Sequence, residues 1–132
     1  MSVQMELHKI IISEMQQEQI IVLKEVDGER TFPIVIGNPE AIAIDRRLKG
    51  HVPPRPMTHD LLASVIETMG GSIDRIEIND LQEHTFFARI LIRQNGSTLR
   101  IDSRPSDAIA LGAATMVPIF VADHVLADVC RE

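Results

Sequence analysis

The stretch Ala108 to Ala114 is apolar around its whole circumference. A helix with no polar face must be covered on most sides by the rest of its own chain. Pro105 suits the first turn of that helix, where its missing N–H is no loss, and Met116 lies near its expected end. The helix is therefore expected to be buried on most sides, and 132 residues suffice for one core but not for two. A single domain over residues 1–132 is expected.

Two groups of strands are legible. Val3 to Ile12 alternates apolar and polar residues, Gln19 to Val26 reads as its partner, and Thr31 to Ile36 as a third strand. Asp27-Gly28 is expected to make the tight turn between the last two, with Gly28 at positive φ. Ser72 to Asn79, Thr85 to Arg93 and Ser97 to Ser103 form the second group, with Asn95-Gly96 as a strong hairpin signal. In the last strand Leu99 and Ile101 are expected to face the core. Arg100, Asp102 and, by extension, Arg104 then face the other way.

Two more helices are legible. Asn38-Pro39-Glu40 opens one, with Asn38 as the expected cap and Ala41, Ile44 and Leu48 as its apolar stripe before Gly50. His51 to Met57 holds three prolines and reads as a loop. Thr58 to Met69 follows as the clearest amphipathic helix, with Leu61, Leu62, Val65, Ile66 and Met69 on one face and Gly70-Gly71 at its end. Pro118 to Val121 is a short extended segment, and Asp123 to Cys130 a short last helix. The fold class is α+β: mainly antiparallel sheet with three to four helices.

Composition narrows the functions open to such a domain. The net charge is −6, there is no Trp or Tyr, and Phe occurs four times. A broad basic face for nucleic acid and an aromatic stacking platform are both excluded, so any contact with nucleic acid must be local. One region runs against the overall charge: Arg46, Arg47, Lys49 and Arg55, with His51 and His59 among them, face only Asp45 and Asp60. This stretch reads either as a solvated face or as an anion-attracting edge. The lone Cys130 can form neither an internal disulfide nor a cysteine metal site. No apolar run is long enough to cross a membrane, and no leader pattern opens the chain. No membrane association and a cytoplasmic location are expected.

The chemistry concentrates at two similar helix entrances. Arg55-Pro56-Met57-Thr58-His59-Asp60 and Arg104-Pro105-Ser106-Asp107 each set Arg and Pro before a hydroxyl residue, an Asp and an apolar helix. Free N–H groups and the positive dipole end suit a phosphate there, and Arg can grip it in bidentate fashion. Arg55, Arg104, Thr58 and Ser106 are the candidate phosphate ligands. Capping by Thr58, Ser106 or Asp107 is the competing structural use. His59 is the candidate proton carrier. Asp60, Asp102 and Asp107 are candidate catalytic carboxylates that could also hold a hard cation such as Mg²⁺ or Mn²⁺, if they converge. Glu40 either favours its own helix end or faces the same cleft.

The strings Arg55-Pro-Met-Thr-His-Asp-Leu-Leu62, Arg104-Pro-Ser-Asp-Ala-Ile-Ala-Leu111 and Pro33-Ile-Val-Ile-Gly37 with Glu40-Ala41 resemble the bifunctional nuclease domain family, in order and spacing, over roughly Val3 to Val121. The resemblance implies a small α+β domain, nuclease activity on DNA and RNA, and a homodimer. The matching polar positions are Glu40, Arg55, Thr58, His59, Asp60, Asp102, Arg104, Ser106 and Asp107. Phe87 stands where the family often has Tyr, which removes one phenol. The alternative to a nuclease is a non-catalytic module binding an anion or nucleotide.

Overall fold

A computed structural model describes residues 1–130. Seven strands and four helices follow in the order β1 (Ser2–Ile11), β2 (Glu18–Glu25), β3 (Thr31–Gly37), α1 (Asn38–Leu48), α2 (Thr58–Thr68), β4 (Ser72–Gln82), β5 (Thr85–Gln94), β6 (Ser97–Ser103), α3 (Pro105–Thr115), β7 (Ile119–Ala122) and α4 (Asp123–Val129). This is a single α+β domain on a mostly antiparallel sheet.

The two strand groups join into one sheet, ordered β3-β2-β1-β7-β4-β5-β6. The joint is the short β7, antiparallel to β1 and parallel to β4. Alternation within the strands separates the faces. Ile21, Leu23, Phe32, Ile34, Ile36, Ile76, Ile78, Ala88, Ile90, Ile92, Ile119 and Val121 form the buried side. The sheet curls strongly around that side: Phe32 on β3 meets Phe86 on β5 at 5.7 Å between ring centroids, although four strands lie between them in the sheet order.

The apolar helix sits in the hollow as expected. On α3, Ala108, Ile109, Ala110 and Leu111 are buried to within 1% exposure. Its backbone comes close to the sheet at Gly112, where a Cβ would lie 3.3 Å from Ile76 Cγ1. Helices α1 and α2 both pack on α3. At the other end α4 buries Val125 and Leu126 completely.

Local signals were kept in part. Asn95 and Gly96 take φ of 52° and 80°, the two positive values of a tight hairpin turn. Asp27-Gly28 does not make a two-residue turn. The connection runs from Val26 to Arg30, Gly28 is not at positive φ, and the Glu25 carboxylate ties the loop by accepting from Arg30 N (3.0 Å) and Nε (2.7 Å). Asn38 is not the cap of α1. Gly37 holds that position, and Asn38 Oδ1 accepts instead from Gln19 Nε2 at 2.6 Å.

Three apolar expectations are overturned by position at the rim. Leu48, at the end of α1, is exposed. Helix α2 buries only Ala63 and half-buries Ile66, while Leu61, Leu62, Val65 and Met69 face outward. Leu99 and Ile101 are on the helix side of the sheet, opposite Ile92 and Ile90, but β6 is the last strand and its residues up to Asp102 are exposed. No helix of the described residues is long and apolar enough to cross a membrane.

Candidate functional site

The first turns of α1, α2 and α3 meet at one place, carrying Glu40, His59 with Asp60, and Asp107. A chain of contacts links them. His59 Nε2 lies 3.0 Å from Asp107 Oδ1. Asp107 Oδ2 accepts from Arg104 Nε at 2.9 Å and pairs with Arg104 Nη2 at 2.8 Å. The same Nη2 reaches Glu40 Oε1 at 3.3 Å. Arg47 of α1 pairs with Asp60 of α2, whose other oxygen accepts from Met57 N–H at 3.1 Å. Three positive helix ends and their carboxylates are thus gathered around one junction.

Beside it lies a cavity of about 370 Å³ between α1, the loop before α2 and the start of α2. Arg46, Arg47, His51, His59 and Asp60 supply its charged and titratable lining, and Ile42, Pro53 and Met57 much of its apolar wall. The anion-attracting reading of the 45–60 stretch therefore has a physical form: a basic rim over an apolar floor.

The expected residues divide. His59, Asp60, Asp107, Arg104 and Glu40 come together, and Thr58 lines the cavity. Thr58 is not the cap of α2, since Met57 holds that position and Asp60 satisfies its N–H. Arg104 turns to the helix side once the chain leaves β6, contrary to the strand extension, and is engaged by Asp107 and Glu40 while remaining 69% exposed. Arg55 is exposed in the loop and does not line the cavity. Ser106 is buried and lines, together with Arg104, a separate hollow beside Pro33 and Phe86.

Asp102 is the clearest departure. It pairs across the sheet with Arg89, whose side chain bonds Glu77. Both belong to the face opposite Ile90 and Ile92, so Asp102 points away from the helices. The three carboxylates proposed to converge on a cation do not, and among the described residues no three His, Cys, Asp or Glu side chains form a cation site. Asp60 and Asp107 are already engaged by Arg47 and Met57 N–H, and by His59 and Arg104. The residues present therefore do not fit a dedicated Mg²⁺ or Mn²⁺ centre.

Burial and hydrogen bonding act in opposite directions on the two remaining aspartates. Partial burial pushes both carboxyls up. The Arg47 and Met57 hydrogen bonds to Asp60, and the His59 and Arg104 bonds to Asp107, outweigh it and hold both below the usual 3.8. Arg104 is held correspondingly more basic by Asp107. A carboxylate with a depressed folded pKa adds stability that is complete above its unfolded value and is lost as pH falls through its folded value. Thermal stability should accordingly decline as pH drops below 3.8. Asp60→Asn or Asp107→Asn should flatten that acid limb in melting curves recorded from neutral pH to pH 2.

An ionised Asp107 can only accept a hydrogen bond, so His59 Nε2 carries the hydrogen between them. In neutral His59 the lone pair then sits on Nδ1, where it can take a proton. Asp107 fixes the tautomer and the ring orientation, and would stabilise the imidazolium.

Comparison with known proteins gives a family and several relatives. The sequence model of the bifunctional nuclease domain matches residues 21–131, which hold every group named at the junction. An uncharacterized protein of Mycobacterium tuberculosis (strain ATCC 25618 / H37Rv) is 40% identical over 119 residues, spanning 90% of this chain and 71% of that protein. Bifunctional nuclease 1 of Oryza sativa subsp. japonica is 29% identical over 105 residues, 76% of this chain but 32% of the rice protein. Bifunctional nuclease 2 of the same plant is 26% identical over 114 residues, 83% of this chain and 35% of its own length.

Proposed function

Since this chain belongs to the bifunctional nuclease domain family, we propose that it hydrolyses phosphodiester bonds of DNA or RNA at the junction of α1, α2 and α3. The observation that carries the reading is the His59–Asp107 contact, which joins the two similar helix entrances into one oriented acid–base pair at the edge of a basic cavity.

The phosphate enters over the cavity, attracted by Arg46, Arg47 and His51 and by the converging helix ends. His59 Nδ1 takes a proton from water as the water oxygen bonds to phosphorus. The bond from phosphorus to the leaving sugar oxygen breaks, and that oxygen takes a proton from the imidazolium. Arg104, which lines the separate hollow with Ser106, holds the Asp107 carboxylate that orients His59. No step is routed through a metal ion. The contact with nucleic acid is local, in keeping with the acidic net charge.

A second reading is a module that binds a small anion or nucleotide without cleaving it. The apolar wall of Ile42, Pro53 and Met57 favours it, because a lone phosphodiester needs no apolar floor.

Purified protein should be assayed on single- and double-stranded DNA and RNA, with Mg²⁺, Mn²⁺ or EDTA. Arg46, exposed on the cavity rim, is the comparator. Arg46→Ala should raise KM about tenfold with kcat and melting temperature nearly unchanged, since a charge-assisted hydrogen bond contributes about 1.5–3 kcal/mol. Cleavage unaffected by the variant removes the cavity from the reaction. Absence of cleavage with retained mononucleotide binding selects the second reading.

A further inference from the structure

On the face of the sheet away from the helices, β4 and β5 build a second charged site. Ile76 and Ile78 of β4 face the core, so Arg75 and Glu77 stand on the outer face, with Arg89 of β5 beside them. Register shifts between Ile73 and Arg75 and between Ile78 and Asp80 bracket this stretch, and such bulges re-aim side chains. Glu77 is shared by two cations. Its Oε1 accepts from Arg89 Nε at 2.8 Å, and its Oε2 pairs with Arg75 Nη2 at 2.9 Å. The Glu77 side chain is 13% exposed, whereas those of Arg75 and Arg89 are 38% and 39% exposed and can be reached from solvent. One carboxylate for two guanidinium groups leaves a positive charge over, on a chain of net charge −6. Asp102, opposite Arg89 on β6, makes no ion pair with it among the described residues.

Both arginines line a cavity of about 440 Å³, together with Asn79 and His124. Arg89 Nη1 and Nη2 and Arg75 Nη1 make no hydrogen bond among the described residues. The Arg75 guanidinium lies 5.3 Å over the Phe120 ring, which fixes its plane. Two atoms of the site, the donor Arg75 Nε and the acceptor Asn79 Oδ1, are sealed from solvent without a hydrogen-bond partner. Buried polar atoms are nearly always paired, so the Arg75–Glu77–Arg89 network does not by itself complete the site. We propose that this cavity binds a phosphate group that carries a hydroxyl. Its bare oxygens accept from the Arg89 fork and from Arg75. Its P–O–H donates to Asn79 Oδ1, which an ionised carboxylate ligand could not do. A small turn of Arg75 and Asn79 toward the cavity gives each orphaned atom the partner it lacks. His124, held by Asp80 at 3.3 Å, stands at the rim. The site lies across the sheet from the junction of α1, α2 and α3 and does not depend on catalysis there.

Nitrogen-15 NMR of the full chain, titrated with inorganic phosphate at constant ionic strength, tests it. The Arg75 and Arg89 Nε–H signals, identified by their loss in Arg75→Lys and Arg89→Lys, should shift together along one saturating curve. Arg89→Lys keeps a cation beside Glu77 and so preserves the fold, but it lacks the two Nη donors. In that variant the Arg75 signal should need about tenfold more phosphate to reach saturation. Sulfate, of the same shape but without a hydroxyl, should bind several-fold more weakly. Adenosine 5′-monophosphate separates the two sources of such a group: affinity at least equal to that of phosphate marks a phosphomonoester, and lower affinity marks free phosphate. Signals that do not move or never saturate, a curve unchanged by Arg89→Lys, sulfate binding as tight as phosphate, or a curve displaced by Arg46→Ala at the other cavity would each overturn the proposal.

Discussion

His59→Gln should lower kcat for oligonucleotide cleavage about 100-fold or more while leaving the protein folded, since a positioned general base contributes roughly 10²–10⁴ in rate. Glutamine can still donate a hydrogen bond toward Asp107, so the contact joining α2 to α3 is retained in part. It has no lone pair on nitrogen to accept a proton from water. The loss should therefore fall on kcat, and KM should stay near the wild-type value because the charged rim of Arg46 and Arg47 is intact. A variant of unchanged kcat would remove His59 from the chemistry and leave Asp107 with a purely structural partner.

Phe32→Ala should destabilise the fold by about 3–5 kcal/mol, with a fall in Tm of roughly 10–20 °C. Phe32 is 1% exposed and bridges the hollow to Phe86. The ring fills the space between strands that are remote in the sheet order, so the cavity left behind cannot be closed by a small local shift. Chemical denaturation monitored by far-UV circular dichroism would measure it. A loss under about 1 kcal/mol would mean that the curl of the sheet is held elsewhere, with α3 as the first candidate.

The fold was readable where local chemistry and tertiary role coincide. Ala108 to Ala114 is expected to be buried because it has no polar face; Ala108 to Gly112 are, while Ala113 and Ala114 are half-buried. Asn95-Gly96 had to turn because both residues tolerate positive φ. The failures share a cause. Leu48, Leu62, Val65, Leu99 and Ile101 are apolar with the correct periodicity, but periodicity reports a face and not what covers it. Whether an element is central or at a rim is decided by β7, a four-residue strand that sets the sheet order and has no distinctive sequence of its own.

The site divides in the same way. The two Arg-Pro entrances signalled His59, Asp107 and Arg104 through their matching order, but their mutual contact depends on how α2 and α3 pack. Arg46, Arg47 and His51 were visible only as an excess of positive charge. Their place on the cavity wall needed the helix phase of α1 and the path of the proline loop. Asp102 looked equivalent to its neighbours, although strand alternation alone sends it to the opposite face.

The most direct measurement is a double-mutant cycle on kcat/KM for oligonucleotide cleavage with His59→Gln, Asp107→Asn and the double variant. If the two helix entrances form one acid–base unit, the double variant should be little worse than His59→Gln alone, because Asp107 acts through a base that is already gone. Losses that multiply across the two substitutions would contradict the account and leave two independent residues where a pair is claimed.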